Sequence, residues 1–249
     1  TAVGYQAGIS TTGGTPNTFV GASAGALNIG GANNVAVGTN ALYSNADTNF
    51  NTAIGNYALE FQNEGGRNIA VGYQALNADT KGARSVAIGW GALATQNFTS
   101  VTITGNTAVG YAAGNAVTTG TNNTLIGSLA GDALTTGSSN VAVGQGAFGA
   151  NTTGSANVAV GTNALDASTT SLNNTAVGHV SLGATTTGGN NTGVGAYVMQ
   201  DNTTGANNAA FGYAALDANT TASNNSAFGY NALTANTTGA GNTAVGTDA

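Results

Sequence analysis

The sequence predicts an all-β chain, a parallel β-solenoid of about fifteen coils, and three observations point there. Fifteen glycines, running from Gly4, Gly21 and Gly38 to Gly212, Gly229 and Gly246, are spaced by 17 residues in thirteen of fourteen intervals. The remaining interval, Gly89 to Gly110, is 21. Each glycine follows a β-branched Thr-Ala-Val type segment, and no 3.6-residue apolar pattern accompanies it. Seventeen residues are also too few for a crossover helix, so each repeat reads as one turn of a stack.

Positions are counted here from the anchor glycine as zero. Position −1 holds Val or Ile, with Phe211 and Phe228 as variants, and position −2 holds Ala except at Phe19, Leu125 and Gly193. This segment suits a strand whose alternate residues face opposite ways. Val and Ile are expected inside, with Ala and the anchor glycine forming a smooth outer face. The following Ala-Leu-x-Ala-Asn-Thr-Thr predicts a weaker strand running back, and Thr-Gly-x-x-Asn supplies a turn. Coils stacked in register about 4.8 Å apart predict a rod roughly 70 Å long. Residues 1–249 read as one continuous solenoid.

Position −4 is Asn throughout, apart from Ser85: Asn17, Asn34, Asn51, Asn68, Asn106, Asn123, Asn140, Asn157, Asn174, Asn191, Asn208, Asn225 and Asn242. In register, their side-chain amides are expected to stack into a ladder of amide-to-amide hydrogen bonds. Where Leu at position +4 becomes glycine (Gly8, Gly25, Gly114, Gly131), Ile9, Leu27 with Ile29, Val117 and Leu134 follow and are expected to restore the core volume. The extra four residues predict a loop over 98–105, a small hairpin or bulge. Its Phe98, Val101 and Ile103 are the candidate contact residues.

Composition narrows the function classes. Only 5% of residues are charged, the formal charge is −6, and the basic residues are Arg67, Lys81 and Arg84. An ordinary domain carries about 25% charged residues, and a phosphate-backbone partner needs clustered cations, so nucleic-acid binding is excluded. There is no Cys, hence no disulfide or thiolate metal site. No apolar run is long enough to span a membrane. Both ends fall inside a repeat, which reads as a segment of a longer protein or a filament subunit. A coil this thin buries little per residue, and with its small-residue face it points to self-association, most simply as a homotrimer, or end to end as a filament.

The Asn-Thr-Ala-Val-Gly and Asn-Val-Ala-Val-Gly segments, followed by Ala three residues on, resemble the head repeats of YadA-like trimeric autotransporter adhesins. They are similar also to repeats in phage tail-fibre-type surface proteins. The resemblance covers essentially the whole chain, although the adhesin repeat is usually shorter. It implies a left-handed parallel β-roll that trimerises and projects from a cell surface or virion, attached to a surface glycan or host receptor.

Signals for catalysis are nearly absent, and no enzyme, cofactor or metal is expected. His179 is alone at the variable position +1, without a second His or a Cys to act with it. Asp132, Asp166, Asp217 and Glu60 share position +5 but lie too far apart for a metal shell. Glu64 and Lys81 fall one coil apart and predict an ion pair. Aromatic residues at position +1 (Tyr5, Tyr73, Trp90, Tyr111, Tyr213, Tyr230) are candidates for stacking on sugar rings. An alternative function is ice binding: from Thr118-Thr119 to Thr237-Thr238, eight consecutive coils carry paired threonines. If that segment is a strand, only one Thr per coil faces out. The reading reached is a non-enzymatic extracellular fibre segment acting as structural rod and adhesin.

Overall fold

A computed structural model describes all of Thr1–Ala249 as a helix-free parallel β-solenoid with a 17-residue repeat. Contacts group the chain into two units, Thr1–Asn123 and Thr124–Ala249. The strands of the first are β1 Ala2–Val3, β2 Asn17–Val20, β3 Asn34–Val37, β4 Thr52–Ile54, β5 Ile69–Val71, β6 Gly82–Ala83, β7 Val86–Ile88, β8 Thr102–Ile103 and β9 Thr107–Val109. Those of the second are β10 Thr124–Ile126, β11 Val141–Val143, β12 Val158–Val160, β13 Thr175–Val177, β14 Thr192–Val194, β15 Ala209–Phe211, β16 Ser226–Phe228 and β17 Thr243–Val245. Within each unit the main-sheet strands pair in parallel with no slip. Asn17 pairs Asn34 in the first unit, and Val160 pairs Val177 in the second, so equivalent residues lie over one another.

The facing of the main strand reverses the expectation. Ala at −2 is the inward residue: Ala36, Ala53, Ala70, Ala87, Ala142, Ala159 and Ala176 have no exposed surface. Val and Ile at −1 point out, with Ile54 40%, Ile88 38% and Ile126 39% exposed. The lumen explains why. Ala at +3 and Leu at +4, such as Ala75 and Leu76, are also fully buried. A coil this narrow fits one large side chain per layer, so the strand opposite must contribute a methyl group.

The expected return strand is absent. In the coil of Gly72, three successive backbone bonds take its place: Ala75 N–H to Gly72 O, Asn77 N–H to Gln74 O and Asp79 N–H to Leu76 O, at 3.4, 3.3 and 3.3 Å. Gln74 and Leu76 take φ of 55° and 51°. Alternating left-handed residues curl the chain into linked turns and swing Leu inward, where a strand would pass straight across. Beyond +4 the inward residues come every third position, +7, +10 and then the Asn of the next repeat. Asn151, Gly154 and Asn157 are buried in this way, with two outward residues between each pair.

The core compensation is real but uses other residues. Ile9, Leu27 and Ile29 are exposed at 64, 43 and 49%, whereas Val117 and Leu134 are fully buried. The space opened by Gly8 and Gly25 is filled by Phe19 at −2, whose ring would lie 2.8 and 2.6 Å from a Cβ at those glycines. Leu125 fills the space at Gly131 in the same way, 2.8 Å from such a Cβ. At Gly8, Gly25 and Gly131 a large residue therefore enters from the strand, whereas in the coil of Gly114 the strand keeps Ala108 and Val117 is the buried residue.

The four-residue insertion forms no hairpin. Thr102–Ile103 adds in parallel to Gly82–Ala83, making β6 and β8 a second small sheet on the first unit.

Candidate functional site

The column at −4 is the most regular chemical feature of the interior, and its bonding differs from a side-chain stack. Along the column an Asn Oδ1 accepts the backbone N–H of the residue one coil on: Asn51 N–H donates to Asn34 Oδ1 at 2.9 Å, Asn174 N–H to Asn157 Oδ1 at 3.0 Å and Asn191 N–H to Asn174 Oδ1 at 2.9 Å. Most Nδ2 groups cross the lumen to the carbonyl at +10 of their own repeat, as Asn34 does to Thr48 O at 2.8 Å and Asn174 to Gly188 O at 2.8 Å, whereas Asn51 Nδ2 donates to Thr48 Oγ1 and Asn225 Nδ2 has no partner. Direct amide-to-amide bonds occur only here and there, for example Asn157 to Asn140 at 3.2 Å. The side chain thus continues the backbone ladder around a corner where no strand exists to carry it.

A second buried polar column stands at +7 and was not anticipated. It contains Asn28, Asn45, Gln62, Asp79, Gln96, Asn151, Ser168, Thr185, Asn202 and Asn219, all without exposed surface. Neighbouring members bond, as Asn219 Nδ2 does to Asn202 Oδ1 at 2.9 Å and Gln96 Nε2 to Asp79 Oδ2 at 2.8 Å. The signal available in the sequence was the spacing Asn-x-x-Gly-x-x-Asn, as in Asn151, Gly154 and Asn157, which marks inward residues at period three. Val117 and Leu134 fall in the same column, which also marks it as interior.

Asp79 is the one buried carboxylate in these columns. Burial raises its pKa above the ordinary 3.8, opposed by hydrogen bonds from the Gly82 N–H, Gln96 and the Lys81 backbone. Burial also raises Asp132, Asp166 and Asp217, the last two with added repulsion from Asp132 and Asp201 respectively. A raised carboxylate stabilises the fold most below its unfolded value, and that stability is lost as the pH rises through the folded value. All four shifts have the same sign. The thermal midpoint is therefore expected to rise as the pH falls from neutral toward the ordinary carboxylate value of 3.8, and to rise less in Asp79→Asn. Scanning calorimetry across that range checks it; a midpoint that falls on mild acidification overturns the assignment.

The outer residues singled out from the sequence separate clearly. Lys81 Nζ lies 3.0 Å from Glu64 Oε1, the predicted pair. In the insertion Phe98 is buried at 8%, while Val101 and Ile103 are 58 and 61% exposed, so the three do not form one surface. His179 lies edge-on to Tyr197 at 5.2 Å. The aromatic column at +1 is partly stacked on itself, while Tyr5 stands 75% exposed. Tyr73, Trp90 and Tyr111 stack on one another at 6.1 and 5.1 Å, as Tyr213 and Tyr230 do at 5.4 Å. The faces between these stacked neighbours are covered by one another. No group of three or more His, Asp or Glu side chains gathers to hold a metal ion.

The paired threonines also differ from expectation. The segment carrying them has inward residues every third position, so both members point out: Thr152, Thr186, Thr203 and Thr220 are half-buried, and Thr153, Thr187, Thr204 and Thr221 exposed. From Thr135 to Thr220 the first of each pair is fixed by a bond from its hydroxyl to the next coil's carbonyl, as from Thr135 to Thr152 O at 2.8 Å and Thr203 to Thr220 O at 2.9 Å.

These features define a β-solenoid repeat protein whose interior is ordered by two polar columns. No family model, curated protein or solved structure matches the chain.

Proposed function

We propose that the chain is a non-enzymatic, extracellular fibre segment that associates with copies of itself, most simply as a trimer, and serves as structural support and adhesin. The observation that carries this reading is the outward row at −1. In the second unit Ile126, Val143, Val160, Val177, Val194, Phe211, Phe228 and Val245 project from consecutive strands of a parallel sheet, with Phe211 and Phe228 stacked at 5.1 Å. The first unit carries Val3, Val20, Val37, Ile54, Val71, Ile88 and Val109 in the same place. An unbroken apolar row on a sheet is a surface that assembly covers. The resemblance to adhesin heads and phage-type fibres supports the same reading, including a surface glycan or host receptor as the attached partner.

Light scattering on the folded chain is expected to give about three times the 23.9 kDa of one chain. Val143→Lys combined with Val177→Lys is expected to reduce that to a single chain with an unchanged circular dichroism spectrum. A folded wild-type sample that stays at 23.9 kDa at all workable concentrations removes the assembly reading. A glycan array with the same sample separates an adhesin from a shaft that binds nothing.

A second reading is ice binding by the paired threonines, favoured by their both facing out with the first of each pair held in one orientation. Thermal hysteresis in the purified chain would support it, and none at about millimolar concentration removes it.

A further inference from the structure

The first unit departs from its own repeat along one strip. At positions +6 and +8 the later coils carry mainly Ala and Thr, but Leu27 and Ile29 take those places in the coil of Gly21, and Phe61 takes +6 two coils on. These three side chains stand 43, 49 and 46% exposed, a costly placement that no core requires. Small residues, Ser44 with Ala46 and then Ala78 with Thr80, separate or follow them. The result is an open trough of about 830 Å³ walled by Leu27, Ile29, Ala46, Phe61 and Ala78.

Lys81 lines one end of that trough. It is one of only three cations in a chain of net charge −6, and the other two, Arg67 and Arg84, are exposed nearby in sequence. Thr80 Oγ1 donates to Asn97 Oδ1 at 2.6 Å, closing the same end with polar groups. From the Leu27 ridge to the coil of Lys81 is three coil steps, about 14 Å. A saturated chain with 1.5 Å bonds advances about 1.3 Å per carbon, so about eleven carbons cover that span.

We propose that the trough binds one single-chain anionic amphiphile, an acyl carboxylate of about twelve carbons. Its chain lies along Leu27, Ala46 and Phe61, and its carboxylate sits on Lys81 Nζ. The ammonium carries three donors, so the ligand joins Glu64 as a second acceptor, and the Glu64 carboxylate opposes it by charge. The groove is concave, which fits a monomer and not the plane of a bilayer.

The test is isothermal titration of the full chain with dodecanoate below its aggregation concentration. One equivalent is expected to bind, with dodecanol and the Lys81→Gln protein each about tenfold weaker, the loss of one charge-assisted contact. Decanoate is expected to be about fivefold weaker than dodecanoate, as partial burial of two methylenes requires. Glu64→Gln is expected to tighten binding, and Ala46→Phe, which fills the trough from its floor, to abolish it with an unchanged circular dichroism spectrum. Both charge variants sit on exposed or half-exposed side chains, so they report on binding without unfolding the coil. Dodecanol binding as tightly as dodecanoate, indifference to both Lys81→Gln and Ala46→Phe, or binding only to phosphatidylglycerol vesicles overturns the proposal.

Discussion

A Gly144→Ala chain is expected to melt about 10 °C below the wild type, although the change adds one methyl group to a half-buried position. Gly144 has φ of +137°, a region that only glycine occupies at low cost. A Cβ built there would lie 2.5 Å from Gly161 O and 2.6 Å from Gly161 C, both backbone atoms of the next coil. Strain of about 1–3 kcal/mol from the dihedral adds to overlap of about the same size, so a loss of about 4 kcal/mol is expected. The anchor glycines thus admit the backbone of their own neighbouring coil. Substituting them is expected to break the stack itself, where a smooth outer face would have implied loss of assembly first. Gln145→Ala, one residue on, is the control. A Gly144→Ala midpoint within about 2 °C of wild type would sink the argument.

The second large effect is expected from Asn174→Ala, at about 3 kcal/mol. Asn174 is fully buried, its Oδ1 accepts the Asn191 N–H, and its Nδ2 donates to Gly188 O. Removing the amide strands one donor and one acceptor where no water reaches them, and each costs about 1–3 kcal/mol. Thr170→Ala, on the exposed side of the same turn, is expected to change stability by less than about 0.5 kcal/mol. Denaturant melts of the two proteins compare them directly; equal midpoints would mean that the column at −4 only shapes a turn.

Register and spacing were legible in the sequence because both depend on counting. Glycines 17 residues apart place Asn157 over Asn140 and Glu64 beside Lys81, and the chain folds that way. The facing of the strand was not legible from polarity. Val143 is more apolar than Ala142, so hydrophobicity alone sends Val inward, yet the lumen already holds Phe148 and admits only Ala opposite it. Size decides where polarity misleads. The buried column at +7 was missed for the converse reason: Asn202 and Asn219 look like loop residues until the period of three is noticed. The outward pairing of Thr203 and Thr204 follows from the same period, and reasoning from strand alternation concealed it.

Phe19 has a consequence for how such a chain changes length. The coils of Gly38, Gly55, Gly72 and Gly89 present the same inward trio, Ala36, Ala41 and Leu42 in the first and Ala87, Ala92 and Leu93 in the last. A segment of 17 residues duplicated or lost among them meets the same Ala and Leu side chains above and below, so copying errors there leave the apolar layers intact, while the buried polar residues at +7, Asn45, Gln62, Asp79 and Gln96, change partners. The coils of Gly4 and Gly21 share one ring between Gly8 and Gly25, and neither can be lost without leaving the other hollow or overfilled. For the apolar layers, inheritance by whole repeats is free in one stretch and locked in pairs in the other, and the phenylalanine sets that boundary.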